Sequence, residues 1–140
     1  MKSWYVLIAP AIGWFAAQGL KFAINLRKDG LQIKDLYYSG GFPSSHTAST
    51  ASLATYIGAA NGWNSHIFGL AVMLMAVVMY DAVGVRRAVG EHVKLLKKIT
   101  AINKVDFKPL GLDTAFGHTP FEVFAGLVLG IIVGLVISTV

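Results

Sequence analysis

The chain has 140 residues, which fits a single domain. Hydrophobic residues make up 55% of it and charged residues only 14%, whereas soluble domains carry roughly 25% charged residues, so a membrane protein is the simplest interpretation. The absence of cysteine excludes disulfides, thiolate metal sites and a cysteine nucleophile. The net charge of +5 could indicate a nucleic-acid partner. In so apolar a chain, however, basic residues more often set membrane orientation, and we expect no nucleic acid.

Four apolar blocks follow one another along the chain and predict a helical membrane bundle. Blocks one, three and four are long enough to cross a bilayer, which takes about 20 residues. The second block is short and rich in alanine, serine and threonine. We therefore predict a spanning helix that packs against other helices, with a re-entrant helix as the alternative. The blocks cover residues 4–20 (or 4–26, across Lys21), 47–60, 66–83 and 121–140.

The first block could instead be a secretory signal peptide. Its basic n-region holds only Lys2, and a polar motif follows it directly, so a retained helix is the favoured interpretation. Counting it as a membrane helix gives four crossings, which places the connections before blocks two and four on the same side.

Basic residues are concentrated in those two connections. Four lie between blocks one and two and seven between blocks three and four, which is eleven of the chain's twelve. Because basic residues favour the cytoplasmic side, we predict that both connections lie inside and both termini outside. The residues are Lys21, Arg27, Lys28 and Lys34 in the first connection, and Arg86, Arg87, Lys94, Lys97, Lys98, Lys104 and Lys108 in the second.

The long third connection begins with an amphipathic stretch. Apolar residues recur there at helical spacing and basic residues fill the other positions, which predicts a helix that lies on the membrane surface or packs on the bundle. Residues 103–116 are typical of a loop. The predicted fold is all-α: a polytopic membrane helical bundle of about four transmembrane helices plus one amphipathic surface helix. The apolar residues of the stretch are Val85, Val89, Val93, Leu96 and Ile99.

A glycine-rich histidine motif stands directly before the second block. Its glycines allow a sharp turn, and Pro43 can occupy the first helical turn, where its missing N–H costs nothing. The free N–H groups of the helix start then form an anion site, and His46 adds a group that titrates near neutral pH. Capping of the helix by Ser44 or Ser45 is the structural alternative, but it leaves His46 unexplained, so we favour function. The motif reads Gly40-Gly41-Phe42-Pro43-Ser44-Ser45-His46.

The same elements recur before the fourth block, as glycine, histidine, hydroxyl, proline and then an apolar run. If the helix already includes His118, then Glu122 shares its face and can orient the imidazole. The alternative is structural, because Thr119 and Glu122 fit a capping box with Pro120 at the first helical position. That alternative explains Glu122 but not His118. The motif reads Gly117-His118-Thr119-Pro120-Phe121-Glu122.

Three cations near these motifs could bind an anion. Arg86 and Arg87 close the third block and are either membrane anchors or ligands that clamp a phosphate bidentately. Lys21 interrupts the first block, where an ionisable side chain needs a partner or must snorkel to the interface. Asp81 could pair with one of the arginines or with Lys21.

Two further histidines and a glycine series are interpreted as structural. His66 and His92 lie far from the other histidines in sequence, and no metal-binding spacing occurs. Glycines at every fourth position of the last block predict a tight helix contact, within the chain or between chains, so a homodimer is one expectation. These glycines are Gly126, Gly130 and Gly134.

The motifs resemble those of the type 2 phosphatidic acid phosphatase superfamily, which includes bacterial acid phosphatases and vanadium haloperoxidases. The chain looks most like its small divergent membrane branch, nearly end to end. The first motif resembles the superfamily's Pro-Ser-Gly-His, and residues 117–126 resemble its Gly-x-His-x-x-x-Asp-Val-x-x-Gly segment. Lys21 with Lys28 is faintly similar to its Lys-to-Arg-Pro motif. The branch is matched in Gly-Gly-Phe-Pro-Ser-Ser-His-Thr-Ala, Tyr-Asp-Ala-x-Gly-Val-Arg-Arg and Gly-His-Thr-Pro-x-Glu-Val.

The resemblance implies one membrane-embedded phosphatase-like domain over residues 1–140. It would act on a lipid or isoprenoid phosphate, without a metal or other cofactor, in a bacterial cell membrane. His118 would attack phosphorus, His46 would protonate the leaving alcohol, and Glu122 would orient His118. Such a transfer needs mainly positive groups around the phosphate oxygens, and a neutral histidine can act as nucleophile near pH 7. The phosphate oxygens would be held by Lys21, Ser44, Ser45, and Arg86 or Arg87.

Departures from the superfamily motifs leave a second function open. Ser45 stands in place of glycine and Glu122 in place of aspartate. Arg86 and Arg87 lie about thirty residues before His118 rather than just ahead of it. A catalytically degenerate membrane protein that binds phospholipid or acts as a scaffold is therefore the alternative, and the presence of both histidines favours the enzyme.

Overall fold

The computed structural model describes residues 4–29, 41–102 and 117–140, and its regular structure there is entirely helical. The all-α prediction is therefore confirmed. The third apolar block has the predicted bounds, and the other three begin or end within a few residues of theirs. The predicted loop at 103–116 lies outside the described residues. The helices are α1 (Tyr5–Asp29), α2 (Ser45–Asn61), α3 (His66–Val83), α4 (Val85–Ile102) and α5 (Pro120–Ser138).

Three helical stretches of the described residues are long and apolar enough to cross a membrane. One of them continues from α3 into α4 over 35 residues, or about 52 Å at 1.5 Å per residue, although a bilayer core is only about 30 Å thick. α3 alone has 18 residues, or about 27 Å, and so lies near the short end of the roughly 17–25 residues seen in spanning helices. α2 has 17 residues and is not one of the three, so a fourth crossing stays a prediction. The stretches are Tyr5–Leu26, His66–Thr100 and Pro120–Ser138.

α2 lies at the centre of the bundle, in contact with α1, α3 and α5. It is built from small and hydroxyl-bearing residues, and ten of its 17 residues are buried. The helices around it instead expose large apolar side chains, such as Leu70 of α3 and Phe121 of α5. An interior of small and polar groups inside an apolar exterior is the arrangement expected of helices that associate within lipid.

The glycine series of α5 packs against α2 within the same chain. A Cβ added to Gly126 would lie 2.4 Å from the carbonyl oxygen of Ser44, and one added to Gly130 would lie 2.5 Å from that of Ala48. Gly134 is equally close to α2. Of the two predicted alternatives, the contact within the chain is the one found. A homodimer through the same glycines stays a prediction, and it would require α2 to pack differently.

A second stripe of small residues joins α1 to α2. Ala9, Gly13 and Ala17 are buried at intervals of four residues. The hydroxyl of Ser52 donates to the carbonyl of Ala9 at 2.7 Å, and a Cβ on Gly13 would lie 2.4 Å from Ser52 Oγ. Lys21 is the next residue of this stripe. Its position therefore directs it into the bundle, and only 2% of its surface is exposed.

We expect Gly130→Ala to destabilise the protein by about 1–3 kcal/mol, because the new methyl group would overlap the backbone of α2. The measurement is thermal unfolding of the purified protein in detergent. The matched control is Gly69→Ala, since an added Cβ on Gly69 meets no atom within 4 Å. Equal melting temperatures for the two variants would contradict the packing described here.

Candidate functional site

The two histidine motifs meet at one end of the bundle, where backbone hydrogen bonds connect three helix ends. The amide of Ser44 donates to the carbonyl of Glu122 at 3.0 Å, which joins the start of α2 to the start of α5. The amide of His118 donates to the carbonyl of Ala82 at 3.0 Å, near the end of α3. Gly117 has a positive φ of 92° and lies against the backbone of Arg87, where a side chain would not fit.

The start of α5 combines a capping box with a carboxylate–imidazole contact. Thr119 is the N-cap: its hydroxyl accepts from the amide of Glu122 at 3.3 Å, while Glu122 Oε2 accepts from the amide of Thr119 at 2.9 Å. The same Oε2 lies 3.3 Å from Nδ1 of His118. The helix begins only at Pro120, so the proposed helical face shared by His118 and Glu122 does not exist. The contact arises because the capping glutamate reaches back. The capping box and the contact with the imidazole are therefore both present, and a functional role of Glu122 stays a prediction.

His118 is buried, with 3% of its surface exposed. Its Nδ1 faces Glu122, whereas Nε2 is buried and has no hydrogen-bond partner among the described residues. A proton on Nδ1 that is donated to the carboxylate leaves the lone pair on Nε2. Burial lowers the pKa of His118, and the hydrogen bond and charge of Glu122 oppose this effect. The imidazole is therefore neutral near pH 7.

The start of α2 is capped by Ser44, whose Oγ accepts from the amide of Thr47 at 3.4 Å and from its hydroxyl at 3.0 Å. Pro43 precedes the cap rather than occupying the first turn, and the Phe42–Pro43 peptide bond is cis. This corrects the predicted position of the proline. Ser44 and Ser45 are both buried. The capping alternative thus describes Ser44, while a role of either serine in binding phosphate stays a prediction.

A cavity of about 210 Å³ opens between these helix ends. It is smaller than the roughly 300–1,000 Å³ of sites for drug-sized ligands, and this size suits a small head group such as phosphate. His46 and His118 both line it, so two residues 72 positions apart in the sequence share one space. The full lining is His46, Val77, Val78, Asp81, Ala82, Arg86 and His118.

The cations differ in how they relate to this cavity. Arg86 lines it and forms an ion pair through Nε with Asp81, whereas Arg87 is not part of the lining. Lys21 does not line the cavity but is buried in the bundle, close enough for its charge to act on both histidines, and its Nζ has no hydrogen-bond partner in the described part of the chain. The charge of Lys21 interacts with that of Glu122. The structure thus brings Lys21 and Arg86 to the histidines and leaves the Arg87 side chain outside.

The comparisons with known proteins follow the same motifs. Residues 3–133 match the Divergent PAP2 family. The chain belongs to that family. It is 34% identical over 113 residues to the uncharacterized membrane protein YuiD of Bacillus subtilis (strain 168), a match that covers 71% of this chain and 72% of that protein. No solved structure matches. Membership of the Divergent PAP2 family confirms the resemblance that the sequence motifs indicated.

Sequence reasoning did not place Asp81 or the carbonyl of Ala82 in the site of this Divergent PAP2 family member. Asp81 was considered only as an ion-pair partner, yet it lines the cavity. An acidic residue at the end of an apolar run was the available signal, since such residues are costly in a membrane without a function or partner.

In the described ranges, no three His, Cys, Asp or Glu side chains gather to hold a metal ion, and the lack of a metal requirement stays a prediction.

We expect His118 to titrate below the ordinary histidine value of about 6.5, because burial disfavours the charged imidazolium. Histidine-labelled protein in detergent allows the midpoint to be read by NMR. Glu122→Gln should lower the pKa of His118 further, since the hydrogen bond and charge that oppose the burial effect are removed. Glu91→Gln on exposed α4 is the control and should leave it unchanged. A rise in the Glu122→Gln variant would contradict the described contact.

Proposed function

We propose that this Divergent PAP2 family member is a membrane phosphatase that hydrolyses a lipid or isoprenoid phosphate, as a monoester or a diphosphate, through a phosphohistidine intermediate. The observation that carries the proposal is the state of His118. One ring nitrogen is held by a carboxylate, and the other is buried, with no hydrogen-bond partner among the described residues, at a cavity shared with a second histidine. A nucleophile oriented by an acid and facing an acid–base partner is the arrangement that covalent catalysis requires.

In the first step, the lone pair on Nε2 of His118 attacks phosphorus and forms a P–N bond. The P–O bond to the alcohol breaks, and His46 donates a proton to the departing oxygen. The positive charge that develops on the His118 imidazole is stabilised by Glu122, whose Oε2 lies 3.3 Å from Nδ1. His46 is exposed on the cavity wall, which leaves it free to meet the leaving group.

In the second step, water attacks the phosphohistidine from the side the alcohol has left. His46, now neutral, accepts the proton of the water, and the P–N bond breaks to release inorganic phosphate. The same residue thus acts first as acid and then as base, as required of a symmetric two-step transfer.

The phosphate oxygens would be held by two positive groups. Arg86 lies in the cavity wall, and Lys21 is buried in the bundle. Their fixed charges would stabilise the charge spread over the equatorial oxygens during transfer. Ser44 and Ser45, buried at the start of α2, would add hydroxyl donors beside the N-terminal amides of that helix.

The apolar part of the substrate would remain among the helices. Val77 and Val78 of α3 form the apolar part of the cavity wall, and the outer surface of α3 is rich in exposed apolar residues. A lipid tail could therefore lie along α3 while its head group enters the cavity. We further propose that α2 is the fourth crossing and that the site faces the cytoplasm. The asymmetry of basic residues between the connections supports this orientation.

One observation favours the alternative of a phospholipid-binding or scaffold protein without turnover. Ser45 stands where the superfamily motif has glycine, and it is 3% exposed. Its side chain therefore occupies buried space at the start of α2, where the shorter residue would leave room for phosphate oxygens. A binding protein would still need the cations of the cavity but would not need Nε2 of His118 as a nucleophile.

We expect the protein in nanodiscs to release phosphate from a lipid or prenyl phosphate in the presence of chelator. His118→Ala should lower turnover by about 10³-fold or more, and His46→Ala should lower it by about 10²–10⁴-fold. His66→Ala at the opposite end of the bundle is the control and should retain full turnover. Rapid quenching in alkali should trap a phosphate on His118.

The trapped intermediate separates the two functions. Binding of a lipid phosphate that weakens in His118→Ala, with no phosphate release and no phosphorylated histidine from any substrate of the panel, would establish the binding protein and overturn the enzyme. Phosphate release that survives in His118→Ala would overturn the assigned nucleophile.

We expect Arg86→Ala to lower kcat/KM by roughly 10- to 100-fold, because hydrogen bonds to charged groups contribute about 1.5–3 kcal/mol. Arg87→Ala should have a smaller effect, since its side chain lies outside the cavity lining. The contact of Arg87 with Gly117 is made by its backbone, which the substitution preserves. Equal losses in both variants would show that the cavity lining does not identify the phosphate ligand.

A further inference from the structure

α4 has two faces of opposite chemistry. At about 100° per residue, its five cations fall within roughly a third of the helix circumference. The opposite half is apolar apart from His92 and Thr100. Val93 at its edge is buried, but its larger side chains are substantially exposed, with Leu96 at 48% and Ile102 at 79%. The cations are Arg86, Arg87, Lys94, Lys97 and Lys98, and the main apolar residues are Val85, Val89, Leu96, Ile99 and Ile102.

The polar face carries a strong positive charge. The helix contains one carboxylate, Glu91, whose Oε1 accepts from Lys94 Nζ at 2.8 Å. Five cations and one anion leave a net charge of +4 on 18 residues. Both members of the Glu91–Lys94 pair are more than half exposed, so the pair offsets little of the surrounding field.

α4 makes few contacts with the other described helices beyond its first turn, although Gly90 and Val93 in its middle are buried. Among the described helices it packs only against α3, from which it continues after Gly84. Its first turn lies against Gly117, and Arg86 lines the cavity. The helix therefore leaves the bundle at the end where α2 and α5 begin, which is the end that holds both histidines.

We propose that α4 docks on anionic lipid head groups at the membrane surface, with its apolar half inserted at the acyl boundary. An interfacial position satisfies both faces at once, because apolar side chains leave water while lysines meet negatively charged head groups. α3 brings the helix to that boundary, since its 18 residues lie within the range of spanning helices and α4 continues directly from it. The docking surface is independent of turnover at the histidines, so it applies to the enzyme and to the binding protein alike.

An anionic membrane fits both faces of α4 better than the other partners that a basic helix could bind. A nucleic acid or an acidic protein would satisfy the cationic face but leave the exposed apolar half in water. A second copy of α4 packed through the apolar half would bring two net charges of +4 together without counter-charges, which is unfavourable. A zwitterionic membrane would accept the apolar half, but its neutral head groups would attract the lysines only weakly.

The chain has no cysteine, so a single introduced thiol can report on α4. Leu96→Cys, labelled with a polarity-sensitive fluorophore, would be compared in nanodiscs of phosphatidylcholine alone and in discs that also contain phosphatidylglycerol. We expect blue-shifted emission and protection from an aqueous quencher in the anionic discs. Added salt should reverse the effect, because it screens exposed charges. A label on Asn64→Cys in the uncharged connection before α3 is the control for position.

Charge is then tested in the Leu96→Cys background. Changing Lys94, Lys97 and Lys98 together to Gln should weaken docking about a hundredfold, at roughly fivefold per lysine, whereas changing all three to Arg should preserve it. Equal emission in neutral and anionic discs would overturn the proposal, as expected if the apolar half were covered by the bundle or a second copy. A shift that needs added nucleic acid or acidic protein, or an unaltered Gln variant, would also overturn it.

Discussion

A single backbone hydrogen bond, from the amide of Ser44 to the carbonyl of Glu122, holds the two halves of the site together. His46 lies two residues after the donor and His118 four residues before the acceptor, so this bond places the two histidine-bearing helix starts side by side. It can form only because Gly126 has no side chain: a Cβ there would lie 2.4 Å from the carbonyl oxygen of Ser44. Ser44 is fully buried, so water does not compete for this bond, and the close approach of small residues provides much of the order within the apolar bundle.

The apolar blocks could be predicted because a spanning segment must satisfy its own backbone, which leaves a helix as the available form. α3 accordingly has the predicted bounds, His66–Val83. The position of Pro43 could not be predicted, since the sequence allows α2 to begin either at the proline or after one of the serines that follow it. Ser44 caps α2, and the proline is therefore left outside the helix. The pairing of both histidines in one cavity followed from their positions at the starts of two neighbouring helices.

Other features depended on contacts that a sequence does not display. Lys21 could either snorkel or point inward. What decides this is that Ala9, Gly13 and Ala17 form the stripe that α2 covers, with Lys21 as its fourth member. Arg86 and Arg87 are adjacent and therefore about 100° apart on a helix, so only one of them can face the cavity. The approach of Gly117 to the backbone of Arg87 selects Arg86.

Glu122 shows why a departure from a superfamily motif need not signal lost function. Its Oε2 accepts a hydrogen bond from the amide of Thr119 and also contacts Nδ1 of His118. The carboxylate that caps the start of α5 therefore also holds the imidazole. A capping box favours glutamate or glutamine at this position because the side chain must reach back over one helical turn. His118 lies just before the helix, where the side chain of Glu122 that reaches back also contacts it. The longer acid thus fits the geometry of this helix start, and the orientation of His118 becomes inseparable from the capping of α5.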